Sequence, residues 1–158
     1  MVKQPALKMG VMLCGLMLAS TATAQSMRPR LDYASAAKMR DGCIAFAEKQ
    51  GFKLAIAIFD DSGRLVSFAQ MDGASTAVGE LAQWKGRSAA SYRFATSETA
   101  KWNGPTAPLI STFEGGIPFF AKDGTPLGGI GVSGAESSDD VLCGQAGIAA
   151  AGLRAKAD

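Results

Sequence analysis

The chain of 158 residues contains no histidine. That absence excludes a Ser-His-Asp or Cys-His engine, in which an imidazole takes the nucleophile's proton. It excludes histidine-ligated zinc and histidine-ligated haem as well. A haem iron here has only Met, Cys or Tyr as a ligand, or sits unligated in an apolar slot. Excess charge is also missing. Lys3 and Lys8 lie in an N-terminal leader and no acid does, so its removal takes sixteen basic residues to fourteen, equal to the fourteen acids. A neutral chain has no basic stripe for nucleic acid and no polybasic patch for a membrane surface. Beyond the leader there is no apolar run long enough to cross a bilayer.

The leader has the three parts of a secretory signal peptide. Lys3 and Lys8 form the positive region, Gly10 to Ala19 the short apolar core, and Ala22-Thr-Ala24 the cleavage site. We expect cleavage after Ala24, a linker over 25–32 and one domain over 33–158. Export leads to the periplasm in a Gram-negative host. Cys14 follows Leu13, where a lipoprotein signal has a small residue. Cleavage leaves two cysteines, Cys43 and Cys143. In an oxidising compartment a lone pair is a disulfide candidate; two buried thiols acting as small hydrophobes are the alternative.

Tyr33 to Gln50 reads as a helix, with Ala36, Met39, Cys43 and Phe46 at helical spacing and Gly51 as its stop. Phe52–Phe59 and Arg64–Met71 read as a strand pair around the turn Asp60-Asp-Ser-Gly63, whose aspartates suit backbone hydrogen bonds better than metal. A long helix runs from Ser75 or Thr76 to about Phe94, and a short one from Thr96 to about Trp102. The 103–108 loop holds two prolines and a glycine. Leu109–Phe113 is a brief strand or an ordered loop. Ile117–Ala121 and Leu127–Val132 form a hairpin around Lys122-Asp-Gly124, since Asp-Gly readily takes the positive φ of a tight turn. A last helix, capped by Ser137 or Ser138, runs to about Leu153. Hairpins interleaved with helices predict an α+β fold. First and last helices on one sheet face would bring Cys43 near Cys143.

Gly129-x-Gly131-x-x-Gly134 has the spacing of a dinucleotide fingerprint, but no βαβ unit follows it. Close backbone packing explains those glycines better. A looser anion site is conceivable at the N–H groups of residues 131–134 and the start of the last helix. Ser35-Ala-Ala-Lys38 spells a serine acyl-enzyme motif without its K-T-G companion, so it is coincidental. Lys85 stands on a largely apolar helix face. It either snorkels to water or is buried with a carboxylate or ligand. Trp84 and Phe119-Phe120 read as core or interface.

Five segments in order, Ala55-Ile-Ala-Ile-Phe-Asp-Asp-Ser-Gly-Arg-Leu65, Gln70-Met-Asp-Gly-Ala74, Lys85 among small residues, Gly115-Gly-Ile-Pro118 and Gly128-Gly-Ile-Gly-Val-Ser-Gly134, resemble the GlcG/HbpS-like family, also described as haem-degrading or DUF336 domains. The resemblance covers about residues 33–154. It implies a profilin-like antiparallel sheet of about five strands with helices on both sides, and homo-oligomers. It implies haem binding in some members, and a sensor-protein partner in one exported branch. The positions carried over are Lys85, Gly115, Gly116, Pro118, Gly131, Ser133, Gly134 and Asp140, as pocket and backbone framework. Gln70 departs from the arginine common at that position. The resulting expectation is an exported binder or sensor of haem or another tetrapyrrole, with no catalytic residue assigned. The alternative is a small enzyme or accessory subunit for a carboxylate metabolite such as glycolate, its anion held by Lys85 and the 131–134 nest. A purely structural oligomer is the third reading.

Overall fold

The computed structural model describes residues 27–105 and 109–156. The leader expected over 1–24 lies outside the described residues, as does part of the 103–108 loop. The chain forms α1 (Tyr33–Gln50), β1 (Ala55–Asp60), β2 (Leu65–Gln70) and α2 (Thr76–Tyr92). It continues through α3 (Thr96–Thr99), which tightens into a 3₁₀ turn at Ala100–Trp102, and then β3 (Gly116–Phe120), β4 (Pro126–Ser133) and α4 (Ser137–Ala150).

Local signals set the ends of α1. The Asp32 carboxylate accepts from the Ser35 N–H at 2.6 Å, satisfying one free donor of the first turn. Gly51 closes the helix in the left-handed region, at φ 75°. Asp60 holds the β1–β2 turn together. It accepts from the Ser62 and Arg64 N–H groups and from two nitrogens of the Arg64 guanidinium. Burial alone would raise the pKa of Asp60, but these bonds outweigh it and hold the carboxyl below its ordinary value. Among the described residues, no cluster of three or more acids or cysteines could hold a metal ion.

The sheet order is β2-β1-β4-β3, antiparallel throughout. Alternation along β1 sends its side chains to two cores. Ile56 and Ile58 join Met39, Cys43, Ile130, Val132, Cys143 and Ile148 beneath α1 and α4. Ala55, Ala57 and Phe59 face Ala82 and Ala90 of α2. Helices therefore cover both faces, and β1 is buried along its whole length. The small β1 side chains lie on the α2 side.

Glycine decides how close α2 comes to that face. A Cβ at Gly131 would fall within contact of the Ala82 carbonyl oxygen and the Gly86 nitrogen. A Cβ at Gly86 would meet the Ala57 oxygen at 2.8 Å and the Gly131 nitrogen at 2.9 Å. Helix backbone thus lies directly on strand backbone, where no flexible side chain can give way. Gly131→Ala is expected to lower stability by about 3 kcal/mol, the upper end for an inserted methyl, and the melting temperature by roughly 10 °C. Thermal unfolding followed by circular dichroism checks this; an unchanged midpoint would show that α2 shifts without cost.

Three expectations are corrected. The described residues contain four strands, where the family resemblance implied about five. Residues 109–113 form no ladder strand because their polar groups are used locally. The Thr99 hydroxyl donates to the Ser111 carbonyl, and the Phe113 N–H donates to the Ser111 hydroxyl at 3.2 Å. The last helix ends at Ala150, short of Leu153. Gly152 turns at φ 69°, and Arg154 then exchanges both backbone bonds with Phe120, covering part of the outer edge of β3. Neither Ser137 nor Ser138 caps that helix. The cap residue is Glu136, without a side-chain bond, while the Asp140 carboxylate reaches back to the Ala135 N–H at 3.1 Å.

Of the two possibilities left open for the cysteines, the disulfide is present. Cys43 on α1 and Cys143 on α4 are bridged with a Cα–Cα distance of 4.7 Å. Both are fully buried.

Candidate functional site

A cleft of about 540 Å³ opens beside β3. Its floor is the start of β3, Gly115 to Pro118, with Phe120 further along. The segment from Arg93 to Glu98 forms one wall, Val141 and Gln145 of α4 another, and Ala155 and Lys156 of the tail close the end. β3 can serve as a floor because it is an edge strand, paired among the described residues only with β4 and the short Arg154 bridge. Pro118 suits such a strand, since it lacks a ladder donor.

The floor is pinned from behind. Gly115 lies at φ 112°, a backbone conformation that suits glycine. A Cβ there would meet the Lys85 Nζ at 2.9 Å and the Asp140 Cβ at 3.0 Å. The Gly115 oxygen accepts from the Val132 N–H at 2.9 Å. The Gly116 N–H donates to the Thr96 hydroxyl at 2.9 Å, tying the floor to the α3 wall. The side of Gly116 that a Cβ would occupy is filled by the Lys85 carbonyl and the Thr96 methyl.

Behind Gly115 lies a buried charge cluster. The Lys85 ammonium donates to the Val132 carbonyl (2.8 Å), the Ser133 hydroxyl (3.3 Å) and the Asp140 carboxylate (2.8 Å). Lys85 and Asp140 are each 2% exposed. Three acceptors around one nitrogen match the three donors of an ammonium. Burial pushes the Lys85 pKa down, against the pull of Asp140 and Glu114. Burial likewise pushes that of Asp140 up, against Lys85 and the Ala135 N–H. The pair joins α2 on one sheet face to α4 on the other, past the end of β4.

The eight carried-over positions thus fall into separate groups. Gly115, Gly116 and Pro118 line the cleft. Lys85, Ser133 and Asp140 form the cluster behind it, with every ammonium donor engaged within the protein. Gly131 lies under α2. Gly134 turns the chain after β4 at φ 131°, where a Cβ would meet the Lys53 oxygen at 2.5 Å. In the 131–134 nest, the Val132 N–H is committed to Gly115. Of the aromatic candidates, Phe119 is in the main core, Phe120 borders the cleft, and Trp84 is 39% exposed on α2.

Sequence reasoning missed the rest of the lining, above all Arg93 and Lys156. Arg93 caps α2 in the left-handed region at φ 59°, donating its N–H to the Ala89 carbonyl. An arginine gives no sequence signal for that conformation, which usually falls to glycine or asparagine. Neither Arg93 nor Lys156 has a carboxylate partner among the described residues, whereas Glu98 at the same rim pairs with Lys101 at 2.8 Å. Arg93 also borders a second, smaller recess of about 240 Å³ that contains Arg28 and Arg30.

Comparison with known proteins places this geometry. Residues 31–149 match the family described as haem-degrading protein HbpS-like. Protein GlcG of Escherichia coli strain K12 is 37% identical over 93 residues, covering 55% of this chain and 69% of that protein. The crystal structure of HbpS superposes with a TM-score of 0.73 at 32% identity, over 84% of this chain and 97% of that one. A PduOC–haem complex superposes with a TM-score of 0.73 at 25% identity, over 80% and 99%. With the match spanning most of the chain and the four-stranded, two-faced fold in common, this chain belongs to the HbpS-like family.

Proposed function

We propose that this is an exported protein that binds haem or a related tetrapyrrole in the cleft beside β3. One observation carries the reading: the Gly115-Gly-Ile-Pro118 segment floors a cleft of about 540 Å³ that combines an apolar floor with two lining cations that form no ion pair among the described residues. That volume lies in the range of small-molecule sites, roughly 300–1,000 Å³. Ile117, Pro118, Phe120, Phe94 and Val141 offer surface for a flat apolar ring, and Arg93 and Lys156 offer charge for its carboxylates. The lining fits the ring and its periphery. Among the described residues it has no imidazole, thiolate, thioether or phenolate for the iron. The haem bound by PduOC and the haem-related description of the family support the choice of ligand class.

Export rests on the leader over residues 1–24 and is supported by the Cys43–Cys143 disulfide, since such bonds persist in oxidising compartments. Self-association is part of the same proposal. Leu65 and Phe68 on β2 and Trp84 on α2 are large apolar side chains at 45%, 39% and 39% exposure, the kind that partner surfaces cover. An exported sensor protein would be the reader of ligand occupancy. The carboxylate-metabolite alternative relied on Lys85 together with the 131–134 nest; the Lys85 ammonium is committed to three protein acceptors and the Val132 N–H to the Gly115 oxygen.

Titration of the purified mature protein with hemin tests the proposal. Saturable binding with a shift of the Soret band is expected, alongside a histidine-containing relative as positive control. No saturable binding by this chain, with the control binding, would overturn it.

A further inference from the structure

Resting on the tetrapyrrole reading, we infer that the cleft selects its ligand by the ring's carboxylates, through Arg93 and Lys156, and not by its metal. Three observations on this chain carry the inference. The first is donor chemistry: among the described residues the cleft lining contains neither cysteine, methionine nor tyrosine, and the whole chain contains no histidine. A metal in the ring therefore gains none of the strong side-chain ligands that ordinarily hold haem iron. The second is charge. Among the described residues, Arg93 and Lys156 are the two cations of the lining, and neither is neutralised by an ion pair. The carboxylates of a tetrapyrrole are the ligand groups that these two lining cations can pair with, and an arginine can engage a carboxylate with two parallel bonds.

The third is the backbone at Arg93. Its φ of 59° costs a side-chain-bearing residue energy that glycine would not incur. The position is a helix C-cap, where glycine is the favoured choice. Folding alone would thus favour glycine at this position. Strain of this kind at the rim of a cleft points to a role for the side chain.

The test compares hemin, metal-free protoporphyrin IX and protoporphyrin IX dimethyl ester, each titrated against the purified mature protein and against the Arg93→Gly variant. Protoporphyrin IX is expected to bind within about tenfold of hemin, and the dimethyl ester more than about tenfold more weakly, tenfold being the loss of one favourable charge contact. Arg93→Gly is expected to weaken both free acids by about tenfold and leave the ester unchanged, while its melting temperature equals or exceeds that of the parent. Hemin binding more than about tenfold tighter than protoporphyrin IX, or an ester binding as well as the acid, would overturn the inference and leave the tetrapyrrole reading standing. Failure of all three ligands to bind would remove both.

Discussion

Replacing Cys43 and Cys143 together by alanine is expected to destabilise the protein by about 4–5 kcal/mol, the largest loss from any change described above. The bridge closes a sequence separation of 100 residues, so it restricts most of the unfolded chain. Chain entropy assigns such a loop about 4.7 kcal/mol. The bridge also joins the first and last helices, which lie together on one face of the sheet. The expected fall in melting temperature is on the order of 15 °C. Thermal or guanidinium unfolding of the double variant against the oxidised parent measures it. In the parent, neither Cys43 nor Cys143 should be labelled under native conditions, because both sulfurs are buried and bonded. A double variant melting within about 2 °C of the parent would show that the denatured chain does not feel the constraint.

The second large effect belongs to Lys85 and Asp140. Removing either partner leaves a charge at 2% exposure without its counter-charge. Lys85→Met or Asp140→Leu is expected to cost about 3–5 kcal/mol. Replacing both together should cost much less than the sum of the two single changes, since a buried pair can often be exchanged for apolar residues at little loss. Denaturant unfolding of the two single variants and the double variant measures the coupling. The same variants separate a framework role from a ligand role. A framework pair costs stability in each single variant and recovers it in the double. A ligand-binding Lys85 would lose ligand affinity in the single and the double variant alike, with little change in stability. Additive single effects would contradict the framework role, in which the Lys85–Asp140 bond at 2.8 Å holds α2 and α4 around the end of β4.

Much of the architecture was legible because local rules and tertiary needs agree. The span of α1 could be read from its apolar stripe and Gly51, and both hairpins from alternation and their Asp-containing turns. The small residues of β1 and the glycines of β4 signalled a closely covered face, and α2 occupies it. The missing fifth strand was not legible. Residues 109–113 are apolar enough for a strand, but Ser111 is instead bonded to Phe113 within the segment and to Thr99, a partner twelve residues earlier that the sequence does not mark. The true end of α4 was obscured for a related reason. Leu153 continues the helical stripe, but the Arg154–Phe120 bridge draws the chain away.

The candidate site divides along the same line. By itself the sequence determined the chemistry available: no imidazole anywhere, a net charge of only +2, three cysteines, and a glycine-rich hairpin. These are matters of which atoms exist, and folding does not alter them. It also marked Lys85 as a lysine that, if buried, needs a partner, without saying which. Only the tertiary structure decided that the partner is Asp140, 55 residues away, and that Ser133 and the Val132 carbonyl complete the set. Only the tertiary structure gathered Arg93, Val141 and Lys156 around Gly115–Pro118. A cleft is made by side chains distant in sequence that meet where an edge strand is left uncovered. No spacing rule along the chain encodes that meeting, because it depends on how α2 and α4 pack against opposite faces of the sheet.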